Sequence, residues 1–292
     1  MTRIAVMMTC HNRRTQSLAC LDALRRQATH ADLDVYLLDD ASTDGTADAV
    51  RAEHPEVRVY SGDGNFYWCG GMRQLWSLAA WQDYDHYLWL NDDTLLDEQA
   101  LNALLSTASQ AHDGIVVGTL RDPQTQQPTY GGVARASRWH PFRYRLVVAQ
   151  DQPLPCDTMN GNCVLVSREA ARRVGNFDGS FRHSFGDFDY GLRARKLGVE
   201  MLVTAGTIGC CPRRTSRQRW RDATLGWRQR WAEVTGPKGL PPRQMLVYAR
   251  RHGGPMWWAF WCMPYLRALL MPTRRRTVRW RFLPTTGASQ QA

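Results

Sequence analysis

The sequence lacks a paired cysteine motif and a long uninterrupted apolar run. Its eight cysteines show no Cys-x-x-Cys spacing, and a chain of 292 residues can form a core without a disulfide framework. We therefore expect reduced cysteines. Residues 1–9 carry one charge and a very short apolar run, which is typical of a first strand and not of a signal peptide. The sequence accordingly predicts a cytoplasmic protein.

Acidic residues are scarce in the C-terminal region. From residue 206 onward the chain contains 17 of its 37 basic residues but only 2 of its 27 acidic residues. This region has a net charge of +15, whereas residues 1–205 have a net charge of −5. The asymmetry indicates an acidic partner for the C-terminal region: anionic lipid, a phosphate-bearing acceptor or nucleic acid.

The same region contains an aromatic segment, residues 255–272, that falls short of the roughly 20 apolar residues of a membrane span. Pro264 and Arg267 interrupt it. Tryptophans followed by arginines predict a segment lying on an anionic membrane surface, so we expect a peripheral protein on the inner face of the cell membrane. The alternative is a helix packed against the catalytic domain or a partner subunit. The arginines and the tryptophan that follow are Arg274, Arg275, Arg276, Arg279, Trp280 and Arg281.

The first half of the chain alternates between strand and helix patterns. A composition of 43% hydrophobic and 22% charged residues excludes a disordered chain. Strands are predicted at residues 4–9, 34–38, 57–60, 87–90, 115–119 and 159–166, and helices at 15–27, 47–53, 71–81, 168–174 and 187–197. This order predicts an α/β protein, a Rossmann-like αβα sandwich with a mostly parallel mixed sheet. Polar clusters at residues 11–14, 39–44 and 91–94 follow strands, so they should meet at one rim, where such sheets bind ligands.

Asp92 and Asp93 follow an apolar strand directly. Adjacent carboxylates repel each other, and a hard divalent cation would neutralise them. The pair therefore indicates Mg²⁺ or Mn²⁺ bound jointly by the protein and a substrate diphosphate. The alternative is a helix N-cap with acidic residues favoured by the helix dipole.

Asp187 and Asp189 alternate with aromatic residues before an arginine-rich helix. Residues at i and i+2 do not share a helix face, so the two carboxylates should have different roles. Asp187 is a candidate general base. The structural alternative is that Asp187 caps the helix and Asp189 pairs with Arg193 at i+4.

The chain resembles family 2 glycosyltransferases with the GT-A fold, close to bacterial rhamnosyltransferase-like members. The matching stretches lie in the first two thirds of the chain, in the expected order: residues 6–13, 38–46, 64–71, 90–94, 159–162 and 185–195. The resemblance implies a catalytic domain over residues 1–212, with a nucleotide-binding half at 1–95 and an acceptor half at 96–212. Residues 213–292 would form a basic helical appendage.

The resemblance also implies roles for individual residues. Thr9, His11, Arg13, Asp40, Arg73 and Asp92 would bind the donor nucleotide, Asp93 with Asp92 would bind Mn²⁺ or Mg²⁺, and Asp187 would be the base of an inverting reaction. For the acceptor and the sugar, the candidates are Asn160, Gly161, Asn162, Trp68, His183 and Asp189. Packing roles are the alternative for Trp68 and His183.

One stretch departs from the family pattern. Many relatives have a metal-binding histidine where this chain has Cys210, Cys211 and Arg213. Because cysteine is a poor ligand for a hard cation, the metal would have fewer protein ligands, or Arg213 and Arg214 would supply part of the positive charge.

The sequence thus predicts an inverting transferase that moves a sugar, first of all rhamnose, from a dTDP- or UDP-sugar to a saccharide or lipid-linked acceptor of surface polysaccharide synthesis. A basic nucleic-acid-binding protein is one alternative, but it leaves Asp92, Asp93 and Asp187 unexplained, so no nucleic-acid partner is expected. A sugar nucleotidyltransferase is the other. It would normally have a glycine-rich, lysine-containing loop after the first strand, and residues 11–14 contain no glycine.

Overall fold

The computed structural model describes residues 1–213 and 219–273. Its strands are β1 (Arg3–Cys10), β2 (Asp32–Asp39), β3 (Arg58–Ser61), β4 (His86–Leu90), β5 (Leu95–Leu96), β6 (Ile115–Val117), β7 (Leu120–Arg121), β8 (Pro128–Tyr130), β9 (Gly132–Arg135), β10 (Tyr144–Leu146), β11 (Leu154–Pro155), β12 (Thr158–Met159), β13 (Cys163–Ser167), β14 (Met201–Val203) and β15 (Gly209–Cys210). Its α-helices are α1 (Arg14–Arg25), α2 (Thr46–Glu53), α3 (Tyr67–Ala79), α4 (Ala100–Ala108), α5 (Arg168–Val174), α6 (Gly186–Lys196), α7 (Trp227–Thr235), α8 (Pro242–His252) and α9 (Trp257–Leu270). A 3₁₀ turn follows α3 at Ala80–Gln82.

The main sheet has eight strands in the order β11-β14-β6-β13-β4-β1-β2-β3. Strands β4, β1, β2 and β3 run parallel to one another, and β13 is antiparallel to both of its neighbours. The predicted mostly parallel mixed sheet is therefore confirmed. A four-stranded sheet (β5-β15-β7-β8) and a three-stranded sheet (β10-β9-β12) complete the strand pairing.

Helices cover both faces of the main sheet because the central strands are apolar on both sides. On β1, Ala5 and Met7 belong to the core on the side of α3, where they join Trp76. The intervening Val6 and Met8 belong to the core on the side of α1 and α4. This alternation with a period of two is the property of a buried strand that produces an αβα sandwich.

Two predicted elements differ from the structure. The single strand expected over residues 159–166 is divided into β12 and β13, which lie in different sheets, because Asn160, Gly161 and Asn162 leave the ladder between them. The helix expected from residue 71 begins at Tyr67, so two of the loop aromatics form its first turn. Tyr67 has a φ of 53°, a left-handed conformation that is uncommon for a residue with a side chain.

The C-terminal helices pack against the catalytic region and against one another. Tyr248 of α8 stacks on Phe185, which precedes α6, with a centroid separation of 4.8 Å. Helix α9 buries Tyr265 and Ala268 where it packs against α7 and α8. Elsewhere along the helix, Trp258, Met263, Leu266, Leu269 and Leu270 are exposed. The helix thus packs against the protein, as the packed-helix interpretation predicts. It also exposes apolar side chains, as the membrane-surface interpretation predicts.

None of the helices within residues 1–213 and 219–273 is long and apolar enough to cross a bilayer. The arginine cluster expected at the membrane surface (Arg274, Arg275, Arg276, Arg279, Arg281, with Trp280) lies outside the described residues, as does Arg214.

Candidate active site

The three polar clusters that follow β1, β2 and β4 meet at one rim of the sheet, as predicted from strand order. The guanidinium of Arg13 donates to Oδ1 of Asp92 and to Oδ2 of Asp93, both at 2.9 Å. The backbone N–H of Asn12 donates to the Ser42 hydroxyl at 2.8 Å, which joins the first two clusters. Contacts across 30 to 80 positions of sequence thus assemble the site.

Asp92 and Asp93 lie in the turn between β4 and β5. The following helix, α4, begins only at Ala100 with Gln99 as its N-cap. The helix-cap interpretation of the two aspartates is therefore wrong. Burial lowers the pKa of Arg13, but the charges of Asp92 and Asp93 outweigh this effect and raise that pKa above its ordinary value. Arg13 consequently stays charged and is a counter-ion for both carboxylates.

The two carboxylates offer hard oxygen ligands of the kind that Mg²⁺ and Mn²⁺ prefer. Within the part of the chain that the structure describes, no group of three His, Cys, Asp or Glu side chains is arranged to hold a metal ion. Cys211 lies beside the pair, with its Sγ 3.6 Å from Oδ1 of Asp93. The residues therefore fit a cation that takes its remaining ligands from water or a substrate diphosphate.

Asp40 lies at the end of β2 and orders the loop that precedes α3. Its Oδ1 accepts the backbone N–H of Gly64 at 2.8 Å, and its Oδ2 accepts that of Tyr67 at 2.9 Å. His11 makes a 2.7 Å hydrogen bond through Nδ1 to the backbone carbonyl of Asp40. Thr9, His11 and Asp40 all line the cleft described below.

Asp187 lies in the first turn of α6, but its side chain does not cap the helix, whose N-cap is Phe185. The carboxylate is buried, and its Oδ2 accepts the backbone N–H of Gly161 at 3.1 Å. Gly161 lies in the segment between β12 and β13 and packs against Trp68, whose Nε1 donates to Oδ1 of Asn91 at 2.7 Å. Asp187 is thereby linked through Gly161 and Trp68 to the turn that carries Asp92.

One cleft of about 500 Å³ contains most of the predicted site residues. Its lining includes Thr9, His11, Arg13, Asp40, Trp68, Asp92, Gly161, Asn162, His183 and Asp187. Asp93 shares the guanidinium of Arg13 with Asp92, although it does not itself line the cleft. The candidate base and Asp92 therefore line one cavity, and Arg13 joins Asp92 to Asp93.

Some predicted contact residues do not line this cleft, among them Arg73, Asn160 and Arg213. The guanidinium of Arg73 lies beside Gly179 and does not line the cleft, so its approach to the donor phosphates stays a prediction. Asn160 is absent from the lining, and its backbone N–H donates to the carbonyl of Gly131 at 3.0 Å. Arg213 is exposed but does not line the cleft either.

Asp189, a predicted acceptor contact, is buried and does not line the cleft. Its side chain is 0% exposed, and it forms ion pairs with Arg193 and Arg251 and a 2.9 Å hydrogen bond with Nε2 of His252. Burial raises the pKa of this carboxyl, but hydrogen bonds from His252 and Arg193 outweigh it and lower the pKa below its usual value. The i+4 pair with Arg193 is confirmed, and Arg251 and His252 join α8 to the helix that carries Asp187.

The sequence interpretation missed Lys238 and Tyr130, which also line the cleft. Tyr130 ends a short strand, β8, that no periodic pattern indicated. Lys238 lies in a Gly-Pro-Lys-Gly stretch between α7 and α8. Glycine and proline are a visible turn signal, but local sequence does not indicate where the turn packs.

Replacing Gly161 with alanine is expected to distort the cleft. A Cβ at this position would overlap the indole of Trp68 and approach Cβ of Asp187 to 3.3 Å. Because displacement of a reacting group by about 1 Å can cost about 10²-fold in rate, we expect a loss of that order in kcat. A suitable control is Gly226→Ala, since a Cβ there meets nothing within 4 Å. Equal turnover by the two variants would contradict this account of Gly161.

The sequence is similar to a glycosyltransferase family profile and to a named bacterial transferase. The sequence profile of glycosyl transferase family 2 matches residues 5–175. An N-acetylglucosaminyl-diphospho-decaprenol L-rhamnosyltransferase of Mycobacterium tuberculosis is 29% identical over 196 residues. That match covers 59% of this chain and 64% of the relative, so the chain aligns with somewhat less than two thirds of the relative's length.

Solved structures agree in fold at lower identity. A mannosyltransferase of Pyrobaculum calidifontis in complex with GDP-Man and Mn²⁺ superposes with a TM-score of 0.55 at 16% identity, over 91% of this chain and 70% of that one. TarS of S. aureus, in the form comprising residues 1–349, superposes with a TM-score of 0.53 at 13% identity, over 92% of this chain and 81% of that one. These likenesses identify the fold as GT-A. Since the family profile covers more than half of the sequence, the chain belongs to glycosyl transferase family 2.

Proposed function

We propose that this glycosyltransferase moves a sugar, with inversion at the anomeric carbon, from a nucleoside diphosphate donor to a saccharide carried on a lipid diphosphate. The observation that carries the proposal is that Asp187 and Asp92 line one cleft, while Arg13 joins Asp92 to Asp93. A general base and an anion-binding centre facing one cavity are the requirements of this reaction.

In the proposed reaction, Asp187 accepts the proton of the acceptor hydroxyl as its oxygen bonds to the anomeric carbon. The bond between that carbon and the diphosphate oxygen breaks on the opposite side, so the configuration inverts. Oδ2 of Asp187 accepts the N–H of Gly161 and Oδ1 accepts that of Phe188, so the carboxylate is held in place where it lines the cleft. Arg13 contributes positive charge near the departing diphosphate.

Asp93 and Asp92 are the residues that would hold Mn²⁺ or Mg²⁺. When bound, such a cation supplies charge stabilisation to the leaving diphosphate. Without it, Arg13 balances both carboxylates, so we propose that metal binding competes with this ion pair. The mannosyltransferase with Mn²⁺ and GDP-Man supports a divalent cation in this fold.

We assign the nucleotide to the side of the cleft formed by Thr9, His11 and Asp40. Our first candidate donor is dTDP-rhamnose, which the name of the mycobacterial relative supports. UDP-linked galactofuranose, galactose and glucose are the next candidates. The base-pairing edge of thymine or uracil offers an N–H to which a carboxylate such as Asp40 can bind.

A donor screen tests the proposal. Each nucleotide sugar is incubated with Mn²⁺ or Mg²⁺ and a prenyl-diphosphate-linked N-acetylglucosamine, and release of nucleoside diphosphate is measured. We expect one pyrimidine-linked donor to be consumed with formation of a glycosylated product. If no nucleotide sugar binds or reacts in the presence of either metal, the proposed function is wrong.

The exposed face of α9 supports association with a membrane surface, where a lipid-linked acceptor would be found. Leu266 and Leu270 are 48% and 77% exposed on this face. Changing both to glutamate removes apolar contact area and adds negative charge, so we expect about tenfold weaker binding to vesicles of phosphatidylglycerol and phosphatidylcholine in co-sedimentation.

The matched control changes Leu78 and Leu154 to glutamate, because these leucines are 42% and 43% exposed on other elements. This double variant should bind vesicles like the wild-type protein apart from a small effect of net charge. Equal losses in the two double variants would exclude a specific role for α9.

A further inference from the structure

Lys238 lies at the tip of a compact turn between α7 and α8. The backbone N–H of Leu240 donates to the carbonyl of Val234 at 2.7 Å, and that of Gly239 donates to the carbonyl of Gly236 at 2.9 Å. A Cβ on Gly239 would come within 2.7 Å of the Val234 carbonyl, so the turn can close only with glycine there. The backbone of the turn therefore fixes the position of Lys238.

The turn is bound to the loop that precedes the base. The hydroxyl of Ser184 donates to the carbonyl of Gly239 at 3.1 Å. One residue earlier, His183 packs edge-on against Tyr67. The carbonyl of Arg182 accepts the backbone N–H of Cys69 at 2.8 Å, which fixes the same loop to α3. As a result, Lys238 lines the cleft together with His183 and Asp187.

Lys238 is one of only two lysines in a chain whose other 35 basic residues are arginines. It is exposed, and within residues 1–213 and 219–273 it forms no ion pair with a carboxylate. On the donor side, by contrast, the guanidinium of Arg13 is held by two carboxylates. An ammonium group without a carboxylate partner at the mouth of a cleft is suited to binding a phosphate as a point charge.

The same turn also contacts α9. The hydroxyl of Tyr265 donates to the carbonyl of Leu240 at 2.7 Å, and Nε1 of Trp261 donates to the carbonyl of Pro242 at 3.1 Å. The cationic turn is therefore attached to the helix that also exposes apolar side chains. Lys238 and Asp187 thus line one cleft, and the turn that carries Lys238 is held against α9.

We propose that Lys238 is a specificity-determining residue that binds the phosphate adjacent to the acceptor sugar. This inference rests on the proposed function, and it adds that the enzyme recognises the acceptor as a sugar phosphate and not as a saccharide alone.

The test compares two probes in dilute detergent without anionic lipid: farnesyl-diphosphate-linked N-acetylglucosamine and the farnesyl glycoside of the same sugar without phosphate. Calorimetry measures the affinity of each. We expect the wild-type protein to prefer the diphosphate probe and Lys238→Gln to bind it about tenfold more weakly, because a charge-assisted contact is lost. Binding of the uncharged glycoside should not change.

Arg243→Gln is the matched control, since Arg243 is an exposed cation on the first turn of α8 that does not line the cleft. It should bind both probes like the wild type. The inference is overturned if the wild type does not prefer the diphosphate probe, or if Lys238→Gln retains that preference.

Affinity for dTDP and UDP with Mn²⁺ separates the remaining outcomes. We expect Lys238→Gln to bind the nucleotide as the wild type does. If the nucleotide affinity of Lys238→Gln falls instead, Lys238 binds the phosphates of the donor and the inference is wrong. If the wild type binds neither nucleotide but prefers the diphosphate probe through Lys238, the proposed function fails while the phosphate contact stands.

Discussion

Replacing Asp187 with asparagine is expected to reduce sugar transfer by about 10²- to 10⁴-fold, the usual contribution of a general base. Asparagine has nearly the same shape and can still accept the N–H of Gly161, so the fold and donor binding should be retained. What the amide lacks is the capacity to take the proton of the acceptor hydroxyl. The effect should therefore appear in kcat, measured as product formed with the donor identified by the screen, and not in donor affinity.

Asp151→Asn provides the control, because Asp151 is exposed in a loop outside the cleft. It removes the same charge and should transfer sugar at the wild-type rate. If Asp187→Asn retains transfer within a few-fold of that rate, Asp187 is not the base. Loss of both transfer and donor binding would instead indicate that the carboxylate organises the cleft through Gly161.

Replacing Asp93 with alanine is expected to weaken metal-dependent donor binding by about 100-fold or more. The turn that carries Asp92 and Asp93 offers only these two carboxylates, and the described residues add no third acidic, histidine or cysteine ligand that would complete a metal group. Removal of one ligand cannot then be compensated, and second-shell changes alone usually cost about 10- to 100-fold in metal affinity. Calorimetric titration with dTDP or UDP, with and without Mn²⁺, measures the effect without requiring turnover.

Asp48→Ala is the control for this prediction, since Asp48 is an exposed residue of α2 that forms a surface pair with Arg51. Nucleotide affinity in the absence of metal should change little in Asp93→Ala, because Arg13 remains paired with Asp92. An unchanged response to Mn²⁺ in Asp93→Ala would exclude Asp93 as a metal ligand.

The close contact between Arg13 and the two carboxylates suggests why the site tolerates adjacent like charges. Two aspartates at successive positions, one buried and one half-buried, would repel each other strongly without a counter-ion. A guanidinium within 2.9 Å of both supplies that charge before any substrate is bound. Arg13 was expected only as a nucleotide contact, so this pairing was not apparent in the sequence.

Asp187 and Asp189 illustrate how similar residues receive different functions. Both begin the same helix, two positions apart, so they point to different sides. The side of Asp187 faces Gly161 and the cleft, whereas that of Asp189 faces Arg251 and His252, which are 62 and 63 positions away in sequence. The sequence predicted that their roles differ, but the burial of Asp189 depends on the docking of α8.

The sequence by itself determined the alternating strands and helices, the polar clusters at the strand ends and the identity of the acidic residues. These features follow from apolar periodicity and local turn chemistry, which act over a few residues. Only the tertiary structure decided that Arg73, Asn160 and Asp189 lie outside the cleft and that Lys238 lies within it. Those positions depend on how distant segments pack. The spatial neighbours of a residue come from parts of the chain far away in sequence, and local sequence patterns carry no information about which parts these are.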